Sequence, residues 1–217
     1  MNSLKKLFSD TLTRYKIESA VKDFSIRYCG ADGVYDFGAV RRYSYAKYFK
    51  KYKIVNMDKN ERPDVLADIQ SLPFKSGSIG NIICIALLEH VQNPDLAVKE
   101  IGRVMKPHSK GLIWVPFYWR EHNYPIDNCR YTAQGLSRLF ERYNFKVLNV
   151  DIKSYNGLFF VASHSVRFLS NNPHKSSKFN PLLYIHALLC SLSRLDDIFN
   201  LRYNNVYTGF NLIIEKK

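Results

Sequence analysis

Between residues 33 and 152 short β-rich apolar runs alternate with segments of helical period, and this alternation constrains the fold more than any other feature of the chain. Gly33 to Gly38 predicts a strand that runs into a turn, and residues 43–51 predict a helix with Tyr45, Tyr48 and Phe49 on one side. Lys53 to Met57 predicts a second strand ending at Asp58, and Val65 to Asp68 a brief third. Ile79 to Ala86 has the composition of a central strand buried on both faces. A helix over 94–105 begins near Pro94, with Leu96, Ala97, Ile101, Val104 and Met105 as its apolar positions. Gly111 to Phe117, a helix over 133–143 and Phe145 to Ile152 continue the rhythm. Such alternation implies an α/β fold: a doubly wound, Rossmann-like, mostly parallel sheet with helices on both faces.

The flanks differ. Leu4, Leu7, Phe8, Leu12, Tyr15 and Ile17 recur at helical spacing among lysines, which predicts one or two amphipathic helices over 3–27. Residues 155–205 break the rhythm, with two apolar stretches, Leu158 to Leu169 and Leu182 to Leu195, around a polar loop from Ser170 to Asn180. Tyr207 to Glu215 predicts a closing antiparallel strand. The organisation expected is one domain: a leading helical segment (1–30), a core (31–154), a helical insertion (155–205) and the closing strand (206–217). At 217 residues the chain is of the right length for a single core. The insertion is read first as a cap on the sheet; a homodimer contact and a peripheral contact with an anionic membrane are the other two roles open to it.

The formal charge of +13 admits nucleic acid, an anionic membrane surface or an anionic small substrate as partner, beside a merely basic surface. Cys29, Cys84, Cys129 and Cys190 form no CxxC pair, so a reducing compartment without structural disulfides is expected, with Cys84 a buried thiol. Met1 to Lys22 has no uninterrupted apolar stretch and no segment is apolar enough to span a bilayer, so a cytoplasmic protein is expected, at most peripheral to a membrane.

In an open α/β sheet, ligands bind beyond the carboxyl ends of the strands where strand order reverses. The first strand leaves through Asp36-Phe37-Gly38-Ala39-Val40-Arg41-Arg42, where one glycine permits close backbone approach. Asp58, about twenty residues after the glycine turn, stands where an acidic group accepts from ribose hydroxyls. An N-cap is the other role for it. Further blocks are Ala67-Asp68-Ile69-Gln70-Ser71-Leu72-Pro73-Phe74, then Leu87-Leu88-Glu89-His90-Val91, then Glu100-Ile101-Gly102-Arg103-Val104-Met105-Lys106-Pro107.

In this order and spacing the blocks resemble the class I methyltransferases that use S-adenosylmethionine, over roughly residues 33 to 153. Pro116-Phe117, His122, Pro125, Asp127, Arg130, Thr132, Gly135-Leu136 and Leu139-Phe140 resemble a branch associated with polysaccharide and glycolipid biosynthesis. The resemblance implies S-adenosylmethionine as cofactor and S-adenosylhomocysteine as product. Asp36, Gly38 and Ala39 would shape the turn under the methionine end, and Asp58 would hold the ribose. Asp68 would accept from the adenine amino group and the backbone of Ile69 would address the ring. Ile85 and Ala86 would line the methionine portion, with Glu89 and His90 at the mouth. The family usually keeps a second glycine where this chain has Val40, whose side chain narrows the loop and resists positive φ.

Methyl transfer needs an oriented acceptor and, for a hydroxyl, a base. His122 is the candidate base, Asp127 orients it or is itself the base, and Arg130 clamps a carboxylate or phosphate. A structural role in tying down the loop is open for each of the three. His90 is read as a helix-start residue. His108, His164, His174 and His186 have no acidic or cysteine partners at ligand spacing, so no metal site is expected. Tyr43, Tyr45, Tyr48 and Tyr52 lie among basic residues, a mixture that can stack on bases, but their helical spacing favours packing. The expected activity is methylation of a hydroxyl or amine of a small, saccharide or anionic, acceptor. A binding protein that has lost catalysis is the second reading, and an RNA methyltransferase, for which no Asn-Pro-Pro-Tyr string or RNA module is present, the third.

Overall fold

The computed structural model describes residues 12–30, 33–122, 126–169, 181–202 and 206–217. Leu4, Leu7, Phe8, Pro125, His174 and the polar loop Ser170 to Asn180 lie outside them. Seven strands form one sheet in the order β3-β2-β1-β4-β5-β7-β6. They are β1 (Val34–Phe37), β2 (Tyr52–Asn56), β3 (Val65–Leu66), β4 (Asn81–Ile85), β5 (Lys110–Pro116), β6 (Phe145–Asp151) and β7 (Gly209–Lys216). β1 pairs in parallel with β2 and β4, β4 with β5, and β2 with β3. β7 is antiparallel, as expected: the His108 amide bonds the Lys216 carbonyl at 2.8 Å, while the Phe117 amide bonds that of Thr208 at 2.9 Å.

The sheet's core follows from its composition. Ile82, Ile83 and Cys84 of β4 are fully buried, as a strand covered on both faces must be. Helix α2 (Pro94–Val104) starts at Asn93, whose side chain accepts from the Leu96 amide at 3.0 Å, with proline at the first helical position. It buries Ala97, Val98, Ile101, Gly102 and Val104, whereas Leu96 turns to solvent. Helix α3 (Ala133–Arg142) is capped by Thr132, which accepts from the Gly135 amide at 3.0 Å, and it buries Leu136, Leu139 and Phe140. Glu100 and Arg103 of α2 wire the Leu-Pro-Phe block in place. Glu100 accepts from the Leu72 amide at 3.0 Å, and Arg103 donates to the carbonyls of Phe74 at 2.7 Å and Leu72 at 2.9 Å.

Two expectations are corrected. Residues 43–51 hold no α-helix; Arg41–Tyr43 and Ala46–Tyr48 are isolated 3₁₀ turns. None of those residues is buried, so helical spacing gains no packing to offset nucleation. Helix α1 (Leu12–Phe24) buries Thr13, Ile17, Val21 and Phe24 and leaves Tyr15 exposed, because its inner stripe is set by the residues that recur every four positions.

The chain forms two compact units. One comprises Met1–Ile17, Phe117–Arg120 and Asp151–Phe210, and the other Glu18–Pro116, Glu121–Val150 and Asn211–Lys217. The first unit carries the helices that fall between β6 and β7: α4 (Leu158–Leu169), α5 (Pro181–Leu192) and α6 (Leu195–Ile198). Within it Asp196 accepts from the amides of Phe159 and Phe160, both at 3.0 Å, which caps α4 from α6. No helix among the described residues is long and apolar enough to cross a membrane.

Candidate active site

The strand order reverses between β1 and β4, so the carboxyl ends of these two strands define the site in the second unit. Gly38 leaves β1 with φ +78° and Ala86 leaves β4 with φ +51°. The Gly38 amide bonds the Val55 carbonyl at 2.8 Å, and a Cβ there would stand 2.8 Å from a Leu87 methyl. Glycine is therefore required by backbone sign and by the approach of Leu87. Ala86 holds a left-handed conformation that ordinary side chains adopt at a cost, a kind of strain that collects at functional turns.

Asp36 lies in β1, just before the Gly38 exit, and is wholly buried. The Tyr52 hydroxyl donates to its Oδ2, while its Oδ1 has no hydrogen-bond partner among the described residues. Burial pushes its carboxyl up to about 7, against the opposing hydrogen bond from Tyr52.

The loop that follows does not need a second glycine. Val40 sits at φ −94°, ψ 124°, extended backbone that suits a β-branched residue. The Ala39 carbonyl accepts from Asn56 at 3.1 Å, tying the loop to β2. Arg41 is exposed; its amide bonds Glu61 at 3.1 Å and its guanidinium reaches the Arg62 carbonyl. Arg42 is also exposed, and its guanidinium lies 4.5 Å from the Tyr43 ring centroid.

At the end of β2, Asp58 caps the turn Lys59–Glu61 through Oδ1, which accepts from the Asn60 amide at 2.8 Å. Asp68 accepts from the Gln70 amide at 2.9 Å and from its side-chain amide at 3.2 and 3.1 Å. Ile69 beside it is buried. Ile85 is half-buried and Ala86 exposed at the mouth of β4.

The turn after β4, Leu88–His90, receives the segment 126–131. Glu89 offers its carbonyl to the amides of Asn128 (2.8 Å) and Cys129 (3.3 Å). Asn128 donates to the His90 carbonyl at 2.9 Å, and the Tyr131 hydroxyl to that of Leu88 at 3.1 Å. This stapling brings His122, Asp127 and Arg130 to Glu89 and His90. Asp127 Oδ2 lies 3.1 Å from His122 Nδ1 and accepts from the His122 amide at 3.0 Å. Arg130 engages both oxygens of Asp127, Nη2 to Oδ2 at 2.6 Å and Nη1 to Oδ1 more closely still. That guanidinium holds the Asp127 carboxyl well below the usual carboxylate range, so Asp127 stays ionised.

The imidazoles of His90 and His122 meet edge to face at 4.9 Å. Glu89 is fully buried, both carboxylate oxygens lack a hydrogen-bond partner among the described residues, and burial pushes it up to about 8. The His90 ring lies beside it, with Nε2 3.8 Å from Oε1. One donor atom each from Glu89, His90 and His122 falls within 4.8 Å of the others, the one such group among the described residues that a metal ion would suit. Sequence spacing hid this group, because His122 joins Glu89 and His90 only through the stapled loop. His108 stands apart, 3.3 Å from Glu215, and His164 and His186 are buried in the helical unit.

The seven-strand order with an antiparallel β7 is the class I S-adenosylmethionine-dependent methyltransferase fold. Residues 40–113, about a third of the chain, match the family model of the methyltransferase domain. Among solved structures it is similar to geranyl diphosphate C-methyltransferase from Streptomyces coelicolor A3(2), with TM-score 0.58 and 11% identity over 92% of this chain and 77% of that one. The (4+2)-cyclase SpnF gives TM-score 0.57 and 16% identity over 92% and 80%. Phosphoethanolamine N-methyltransferase 2 from Haemonchus contortus, solved with S-adenosyl-L-methionine, gives 0.54 and 13% over 92% of this chain and 52% of that one. At these identities the likeness is one of fold, and a cyclase stands among the similar structures. No curated protein matches the sequence.

Proposed function

We propose that the chain binds S-adenosylmethionine at the β1–β4 switch point and transfers its methyl group to a hydroxyl or amine of a small acceptor. The observation that carries this is Asp36: a wholly buried carboxylate, with one oxygen unpartnered, directly under the left-handed glycine turn. A buried carboxylate in that state is costly unless a cation or donor completes it, and the ammonium of the methionine end would do so. The residues present fit the cofactor: Asp58 keeps Oδ2 for the ribose while Oδ1 caps Asn60, and Asp68 and Ile69 stand beside each other for the purine. When bound, the cofactor supplies the electrophilic methyl carbon.

Around it, Asp127 and Arg130 hold His122 in register at the loop stapled to β4, where it would face the acceptor. A saccharide is the acceptor suggested by the resemblance of residues 116–140. A second reading, a binding protein on the same fold, is favoured by Leu87, whose methyls lie against Gly38.

Calorimetry with S-adenosylmethionine separates the two readings: the methyl-transfer reading expects a saturable isotherm, and no heat would leave only the second. Asp58→Ala should then weaken binding about tenfold, the loss of a charge-assisted hydrogen bond of about 1.5 kcal/mol. An unchanged affinity would remove the ribose role.

A further inference from the structure

We propose that Glu89, His90 and His122 form a binding site for a divalent first-row transition ion at the end of β4. Two imidazoles and one carboxylate are the donor set that such ions take, and two nitrogens favour zinc, cobalt or manganese over magnesium or calcium. The three donor atoms already lie within 4.8 Å of one another, a span that a single ion closes with small side-chain movements.

The second observation is independent of that proximity. Glu89 is a fully buried carboxylate on which no other described residue places a hydrogen bond, and His90 Nε2 remains at 3.8 Å, beyond hydrogen-bond reach. Left alone, such a group is destabilising; an ion between it and the two rings removes the cost.

The surroundings have the form of a built metal site. His90 Nδ1 lies 2.7 Å from the Ile126 carbonyl, which fixes the ring with Nε2 toward Glu89. His122 Nδ1 lies 3.1 Å from Asp127, itself clamped by Arg130, the carboxylate–histidine arrangement that orients a ligating ring. Three protein donors leave a coordination position for an exogenous oxygen.

The consequence for chemistry rests on the methyl-transfer reading. A hydroxyl acceptor bound at that position loses its proton to solvent more easily. Its oxygen lone pair then forms the bond to the methyl carbon as the carbon–sulfur bond breaks, and the electron pair stays on sulfur as a thioether.

The test uses the full chain, stripped with chelator and dialysed against Zn²⁺, Mn²⁺ or Mg²⁺, with bound metal measured by mass spectrometry. One equivalent of Zn²⁺ or Mn²⁺ and little Mg²⁺ is expected. Replacement by Co²⁺ should give visible absorption bands of an imidazole-coordinated ion. Glu89→Gln and His122→Ala should each weaken the ion by roughly tenfold or more. His108→Ala, at an exposed imidazole beside Glu215, should leave it unchanged. Circular dichroism checks the fold of each variant; His122 is less buried than Glu89, so His122→Ala decides the matter if Glu89→Gln fails to fold. A wild-type chain that stays metal-free, or metal bound equally well by His122→Ala, overturns the site. S-adenosylmethionine calorimetry on the same samples keeps the two readings apart: cofactor bound without metal removes only the metal site, and metal without cofactor removes only methyl transfer.

Discussion

Asp36 holds its carboxyl in the core against the full cost of burial, and that cost has a pH signature. With the folded group raised to about 7 from 3.8, the unfolded chain ionises first as pH rises, so the fold loses stability between about pH 4 and 7 and the loss is constant above that. Asp36→Asn should flatten this window in urea melts of the cofactor-free protein, and a slope unchanged by the substitution would place the titration elsewhere. Val40 gives a second prediction. Its backbone is extended, so Val40→Gly should cost roughly 0.5–1 kcal/mol of stability and bring no gain in cofactor affinity. Tighter binding in calorimetry would mean that the valine side chain crowds the loop after all. The sequence pointed to Asp36, Gly38 and Asp58 because each sits at a strand end, and strand ends are set by local pattern. It did not join His122 to Glu89 and His90, because that depends on the Asn128 and Tyr131 hydrogen bonds to residues 88–90, which no periodicity encodes.

Among the elements, those with strong local signals form where composition predicts: α2 has Asn93 and Pro94 at its start, α3 has Thr132, and β4 is apolar throughout its buried stretch. The missing helix between β1 and β2 shows the limit of period alone. Tyr45, Tyr48 and Phe49 recur at helical spacing, yet the Tyr45 amide bonds the Tyr52 hydroxyl at 3.3 Å and the segment stays in single turns. The β5–β7 contact is a matter of close packing at Gly111, where an added Cβ would stand 2.8 Å from Ile214 and 3.0 Å from Ile82. Gly111→Ala should therefore destabilise the sheet by about 1–3 kcal/mol, the cost of overpacking. A denaturation midpoint equal to wild type would show that Ile214 repacks freely.

For the molecule as a whole, alternation along the chain was enough to anticipate a doubly wound, mostly parallel sheet, while partner and acceptor depend on side chains brought together from distant segments. The net charge of +13 acts at this scale. S-adenosylmethionine is cationic and S-adenosylhomocysteine neutral, so the protein's field opposes the first more than the second. Raising ionic strength should shift the affinity ratio toward S-adenosylmethionine, since screening shortens the reach of surface charge. Calorimetry at low and high salt checks this, and a constant ratio would mean that the field does not extend into the site. The stapling of residues 126–131 onto the turn after β4 also sets a condition for engineering. A loop grafted in place of residues 126–131 must therefore bring its own donors at the positions of Asn128, Cys129 and Tyr131, because the carbonyls of Leu88, Glu89 and His90 are already in place to receive them.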